Sequence, residues 1–509
     1  MTRPYLGLDK EKGDTLDNTA IRKVVIAGGG TAGWMAAAAI SKLMGKNLDI
    51  TLVESEMIGT IGVGEATIPT MVFFNRLLNI PEAEFMSAVQ GTYKLGIKFE
   101  NWGDVGEDYL HAFGVTGKDC WACGFQHFWM RGRDLGISSD FGDYCLERRA
   151  AEAEKFSHLP NNGLNYAFHI DASLYAKYLR KFSEKFGVKR QEGKISKVNT
   201  KAENGYIESL TLDNGDVVEG DFFIDCTGMR GLLIEQTLHT GYESWSQWLP
   251  CDSAVAIQTK SVAEPIPYTR SIARESGWQW RIPLQHRVGN GMVYCSRYMS
   301  SEQAEKTLLE NVEGETLTDP LHIKFSAGRR LKQWNKNCLA VGLSSGFLEP
   351  LESTSIHLIQ QNIVRFLRMF PTTGIRQTEV DEFNKQANFD LETIRDFIIL
   401  HYKVTNRTDT EFWRHCSNME VPDSLQHRIE VFKDTGHVFR NAAELFDDSW
   451  QQVMIGQGLM PDRYHALVDT MSVKELTEFL AHIKSNVDGT VDGLPKHADY
   501  LASLANSAR

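Results

Sequence analysis

The chain has 509 residues, 42% of them hydrophobic, and a formal net charge of −12. That length can bury a large core and form two or three lobes, and no internal repeat or low-complexity segment interrupts it. The charge is acidic and interspersed, so a nucleic-acid partner has no electrostatic support and a small-molecule substrate is favoured.

Residues 1–20, MTRPYLGLDKEKGDTLDNTA, are polar, without the apolar stretch of a secretory signal. They predict a loose tail. No run of about 18 apolar residues occurs anywhere, which argues against a membrane span. The expectation is a cytoplasmic protein, monomeric or homodimeric.

IRKVVIAGGGTAGWMAAAAISKLM (21–44) starts as an apolar strand, turns on glycines and continues as an alanine-rich helix. Gly28, Gly30 and Gly33 occupy the three positions of a dinucleotide fingerprint: tight turn, close approach to a pyrophosphate, and close helix–strand packing. The phosphates would lie at the helix N-terminus, where free N–H groups and the dipole favour an anion. A second strand, DITLVES (49–55), delivers Glu54, 21 residues beyond Gly33, to accept a ribose hydroxyl.

The stretch 100–190 is rich in aromatics and predicts a substrate-side wall. Its close cysteine pair, Cys120 and Cys123 in DCWACG, lacks the second pair that a zinc site needs, so no metal is expected. Residues 193–228 read as short strands joined at Asn204-Gly205 and Asn214-Gly215 turns, then a buried strand ending near Asp225. A second substrate-side segment, 240–330, contains GWQWRIPL (277–284), whose two tryptophans share one strand face and predict either core or cavity wall.

NCLAVGLSSGFLEPLESTSIHLIQQNIVRFLRMF (337–370) predicts a strand, a glycine-bearing loop and a long amphipathic helix. Nucleotide-binding elements thus spread over residues 21–370. A single NAD-binding βαβ unit would not need that span; a discontinuous, Rossmann-like FAD-binding domain would. From 371 to 509 the pattern is mainly helical, with Pro422 and Pro461 as punctuation. The fold class expected is an α/β (α+β) flavoprotein.

Together GGGTAGW, GWQWRIP and PLEST resemble the flavin-dependent tryptophan halogenases, over about residues 21–465. The resemblance implies that reduced FAD, supplied by a separate flavin reductase, reacts with O₂ and a halide, bromide or chloride, to give hypohalous acid. The tryptophan-rich strand would keep water and substrate away from the flavin. Lys94, in GTYKLGIKFENW, matches the lysine that delivers the halogen, with Lys98 its competitor. Glu352 in FLEPLESTSI matches the second catalytic residue, with Glu349 the runner-up.

The resemblance further implies that Thr354 and Ser355 hold halide through backbone amides. Many family members have glycine where Ser355 stands, so a positive φ there would strain a serine. Thr31, Ala32, Glu54, the GVGEAT loop from Gly62 to Thr67 with Gly64 and Ala66, Leu343 and Ile356 would meet the flavin, and Asp225 would lie on the return strand beneath it. His111 and Phe113 have the His-x-Phe spacing of residues that sandwich an indole, and Trp450 lies in the substrate segment DSWQQVMIGQG. Tryptophan-specific relatives grip the amino acid there with tyrosines, whereas 449–452 reads Ser-Trp-Gln-Gln, which points to an indole lacking that group. An aromatic hydroxylase on the same fold is the competing reading. It would hold its substrate against the flavin and need neither Lys94 nor Glu352. A non-catalytic flavin sensor would need them still less.

Overall fold

Lys23–Ala27 is buried at every residue but its first, as expected of a strand with neighbours on both sides and helices on both faces. The computed structural model describes residues 20–57, 64–160, 163–439 and 444–507. Residues 1–19 of the expected tail, and Gly62 of the GVGEAT loop, lie outside these. Edge to edge, the sheet around Lys23–Ala27 runs Trp334–Asn335, Cys338–Ala340, Phe222–Asp225, Lys23–Ala27, Asp49–Glu54 and Lys189–Glu192. All neighbours are parallel except the first pair. One sheet therefore gathers strands from residue 23 to residue 340, a discontinuous Rossmann-like arrangement. The helices Ala172–Lys185 and Ser355–Arg368 both pack on the alanine-rich helix Thr31–Met44.

The two Asn-Gly turns close a small antiparallel sheet of Ile195–Thr200, Ile207–Leu212 and Val217–Glu219. In each, the asparagine side chain accepts the N–H two residues on, which fixes the turn.

A seven-stranded sheet forms the other half: Leu321–Lys324, Ser253–Thr259, Val288–Tyr294, Gly277–Pro283, Thr269–Arg274, Gly96–Glu100 and Asp108–Ala112. GWQWRIP is thus its central strand. A three-stranded sheet of Gly64–Ala66, Ala167–Asp171 and Thr92–Lys94 lies beside it. The helix Gln377–Lys403 buries Ile394, Phe397, Ile398, His401 and Tyr402, and Phe397, Trp413 and Trp450 share one apolar core with Trp278 and Trp280. Further helices are Glu411–Asn418, Asp423–Thr435, which begins right after Pro422, Trp450–Gly456, Val473–Asp492 and His497–Ser507.

Candidate active site

A cavity of about 460 Å³ runs from the glycine turn to the tryptophan-rich strand and the PLEST loop. At the nucleotide end, Gly28 has φ +109° and a Cβ there would sit 2.3 Å from the Cys226 carbonyl oxygen; a Cβ on Gly33 would sit 1.9 Å from the Gly28 oxygen. Those two positions exclude a side chain. Gly30 differs, for nothing lies within 4 Å of its Cβ position, and the helix that follows has no side-chain cap. An uncapped helix start facing open space fits the pyrophosphate of a dinucleotide.

Thr31, Ala32, Glu54, Gly64, Ala66, Leu343 and Ile356 line the same cavity. Glu54 is partly engaged: Arg190 Nε donates to its Oε1 at 2.5 Å, and Oε2 lies over Gly29. Asp225 does not line the cavity. It is fully buried, and its carboxylate accepts from the N–H groups of Thr227, Leu233 and Ile234 and from the Thr227 hydroxyl at 2.6–2.9 Å. It shapes the turn whose residues, Cys226 to Arg230, form the cavity wall. Glu65 also lines the cavity, and burial raises its carboxyl to about 7.

Trp278, Trp280 and Ile282 alternate along their strand and all face the cavity, with Trp278 and Trp280 only 1% and 7% exposed. Core and wall are here the same surface. Across the strand pair stands Gly291, where a Cβ would lie 2.0 Å from the Trp280 ring. The PLEST loop divides its residues between two sides. Leu348, Pro350, Ser353, Thr354 and Ser355 line the cavity, while Glu349 and Glu352 do not and are buried behind it.

Ser355 is the first residue of a helix, so the expected strain at that position is absent. The positive φ falls two residues earlier, on Ser353 at +60°. A non-glycine residue in that conformation is held by its surroundings. Here the Ser353 hydroxyl accepts from Lys94 Nζ at 2.7 Å.

Lys94 is fully buried. Its ammonium also donates to the Thr67 carbonyl at 3.1 Å and lies 5.1 Å from the centre of the Phe113 ring. Burial lowers its pKa to about 7, against the opposing pull of Glu352. Lys98, its competitor, is only partly buried and pairs with Asp108 at 2.6 Å, which raises it against the desolvation cost. A lysine poised between amine and ammonium is suited to bind, donate to or accept from a reacting group; a solvated, paired one is not.

Glu352 is gripped from two sides. His111 Nδ1 lies 2.9 Å from Oε2, and His401 Nε2 lies 2.8 Å from Oε1. Burial would raise this carboxyl, but the two histidines hold it down at about 2. Glu349 is met by neutral donors instead. Trp278 Nε1 and the Tyr402 hydroxyl both donate to its Oε2, at 2.9 and 2.6 Å, and burial raises it to about 7.

His111 thus faces Glu352 with one ring nitrogen, and its ring meets Phe397 edge-on at 5.6 Å. Phe397 also meets Trp450 edge-on at 4.9 Å, and Arg428 lies 4.1 Å over the Trp450 ring. Gln452 is consumed in holding the strand end: it accepts from Ala112 N and donates to the Gly114 carbonyl. His401, Phe397, Ser353 and Tyr402 were missed by sequence reasoning. His401 and Tyr402 sit on the buried face of a 27-residue helix, where a histidine or tyrosine reads as core, and no motif flags them.

A cavity opening on the glycine turn, a buried lysine and a doubly held carboxylate behind one loop are compatible with the class of flavin-dependent halogenases. The tryptophan halogenase family model matches residues 23–473. The chain is 36% identical to tryptophan 6-halogenase SttH of Streptomyces toxytricini, over 95% of this chain and 98% of that one. Among solved structures, it resembles Xcc4156, a flavin-dependent halogenase from Xanthomonas campestris, at TM-score 0.94 and 56% identity, covering 95% of this chain and 98% of that one. BrvH, a flavin-dependent halogenase from Brevundimonas sp. BAL3, gives TM-score 0.91 and 44% identity over 95% and 99%. The protein belongs to the flavin-dependent tryptophan halogenase family. It is an oxidoreductase by that membership, and among the described residues no helix is long and apolar enough to cross a membrane.

Proposed function

We infer that the protein halogenates an indole-like aromatic, using reduced FAD from a separate reductase. FAD bound in the glycine-to-tryptophan cavity would supply the oxidation of halide by O₂ to hypohalous acid. Thr31 and Ala32 would hold its pyrophosphate and Glu54 its ribose. The amides of Thr354 and Ser355, at a helix start on the cavity wall, would hold the halide.

The observation that carries this reading is Lys94: a fully buried amine, titrating near neutrality, bonded to Ser353 on the far side of the cofactor wall. Hypohalous acid passing that wall meets the lysine first. Donation of a proton from Lys94 to its oxygen lets that oxygen leave as water while the halogen bonds to a ring carbon. The ring then carries positive charge and must lose its proton, which Glu352, ionised and near enough to act on the Lys94 charge, would accept. His111, Phe113 and Trp450 would bound the ring.

Bare indole is the favoured substrate over free tryptophan. Within 449–452, Gln452 is occupied by backbone and no residue carries a charge to match an ammonium and a carboxylate, and burying those unpaired costs several kcal/mol. Bromide, easier to oxidise and less hydrated than chloride, should turn over at least as fast; with Ser355 helical, this rests on the anion and not on backbone strain. The test is incubation with FAD, a flavin reductase, NADH, halide and indole, followed by mass spectrometry. Halogenated indole is expected; hydroxylated product without halogen would overturn the reading.

A further inference from the structure

Lys94 is carried by a strand with a neighbour on one side only. Thr92–Lys94 is an edge of the three-stranded sheet and pairs with Ala167–Asp171. At a strand edge, the alternate residues whose backbone groups turn away from the neighbour need other partners, and here these are Tyr93 and, just past the strand, Leu95. Leu95 N–H donates to the Pro267 carbonyl at 2.8 Å. Tyr93 N–H donates at 3.2 Å to Nε2 of His497, the first residue of the helix His497–Ser507 and 404 residues further on. The other ring nitrogen, Nδ1, lies 2.7 Å from the Pro265 carbonyl oxygen.

These partners fix the state of the ring. An amide N–H only donates and a carbonyl only accepts, so Nε2 is bare and Nδ1 carries the proton. Burial favours that neutral form, lowering the imidazole to about 4. Along the edge, Pro267 reaches Leu95 directly, and the ring bridges Pro265 to Tyr93. Tyr93 and His497 are 0% and 1% exposed, so water does not stand in for the ring. Without it a buried N–H is left unpaired.

Docking of the C-terminal helix has other supports. His497 N–H donates to the Glu154 carbonyl at 2.9 Å, Phe156 N–H to the Pro495 carbonyl at 3.2 Å, and Lys155 Nζ to the carbonyls of Val491 and Asp492. The Nε2 bond, by contrast, serves Tyr93. Successive side chains on a strand leave on opposite faces. Tyr93 stacks on Phe156 at 4.0 Å, while Lys94 reaches Ser353 and the Thr67 carbonyl. On the other side of Tyr93, the Thr92 hydroxyl donates to the carbonyl of Pro283, the last residue of the tryptophan-rich strand. We propose that His497 is a positioning residue for Lys94: by bridging Pro265 to the Tyr93 amide, its ring fixes the backbone from which the lysine enters the site. That purpose rests on the reading of Lys94 given above; the clamp itself does not.

Two mild substitutions separate the two bonds of the ring. A glutamine amide reaches the place of Nε2 and can accept from Tyr93, whereas an asparagine amide reaches only the place of Nδ1 and can donate to Pro265. Hydrogen exchange of the full chain, without turnover, reads the clamp. Exchange in the peptide containing Tyr93 should be about tenfold faster in His497→Asn, with the rest of that sheet unchanged, and near the wild-type rate in His497→Gln. Unchanged exchange in His497→Asn overturns the proposal. Halogenation of indole reads the purpose. His497→Asn should lower kcat roughly tenfold, with KM for indole within about twofold and O₂ consumption by the reduced flavin unchanged, and His497→Gln should stay within about threefold of wild type. A ring that only docks the helix on Pro265 would make glutamine the worse replacement. A loss in His497→Gln as large as that expected of asparagine, or a loss carried by KM, therefore overturns the proposal. Wild-type activity in Lys94→Ala would overturn it too, through the reading of the lysine, and would leave the exchange result standing.

Discussion

Glu349 and Glu352 stand three residues apart in one loop, both buried, both behind the cofactor cavity, and their surroundings drive them in opposite directions. Two neutral donors, an indole N–H and a phenol, serve Glu349, and burial lifts its carboxyl to about 7. Two histidines serve Glu352 and hold it at about 2. At neutral pH the first is poised near its midpoint as a structural acid that ties the tryptophan-rich strand to the helix Gln377–Lys403. The second is held as a carboxylate. Residue type does not separate them; the charge of their neighbours does.

Loss of Lys94, the lysine of the proposed mechanism, should have the largest effect. Lys94→Ala should abolish halogenation while FAD binding and O₂ consumption by the reduced enzyme stay nearly intact, because in the proposed mechanism the lysine acts only after the oxidant has formed. Product at the wild-type rate would shift attention to Lys98. Next in size is substrate choice: kcat/KM for indole should exceed that for L-tryptophan, measured under identical reductase supply. A tryptophan value about tenfold the higher, some 1.4 kcal/mol in transition-state binding, would mean that a grip on the amino acid exists outside 449–452.

A smaller effect concerns stability. Glu349 has a folded pKa above its unfolded value, so its contribution is fully present below about pH 4.5 and is lost as pH rises through about 7. The melting temperature of Glu349→Gln, relative to wild type, should therefore rise between pH 5 and pH 8, and calorimetry across that window checks it. Glu352 has the opposite sign: its contribution is present above about 4.5 and is lost as pH falls towards about 2. The smallest difference expected is between halides. In competition at equal concentrations, brominated product should at least equal chlorinated product, and mainly chlorinated product would contradict this.

The sequence made the nucleotide end legible because that chemistry is local. Gly33 packs on the Gly28 carbonyl a few residues before it, and the Asn-Gly turns carry their own hydrogen bonds, although Gly28 is crowded by Cys226, which only the fold brings there. That the nucleotide-binding elements spread over residues 21–370 also followed from where the apolar segments fall; the order of the strands in the sheet did not. Partner choice across long separations was not legible. Nothing in the composition of the long helix distinguishes His401, whose partner lies 49 residues earlier, from a core histidine. Glu54 lines the cavity and is met by Arg190, 136 residues further on, whereas Asp225 does not line it and is taken up by the amides of the turn that follows it. The strained serine lies at 353, where the torsion is set by the loop it closes; the resemblance drew attention to 355.

The central claim is that Glu352, and not Glu349, is the base of the reaction. Single-turnover halogenation of indole, measured side by side in Glu352→Gln and Glu349→Gln with preformed reduced flavin, tests it most directly. The account predicts a loss of about 10²-fold for Glu352→Gln, the low end for a positioned acid–base group, and a change of at most a few fold for Glu349→Gln. If the two variants exchange behaviour, the buried acid bonded to Trp278 is the working carboxylate and the account is wrong.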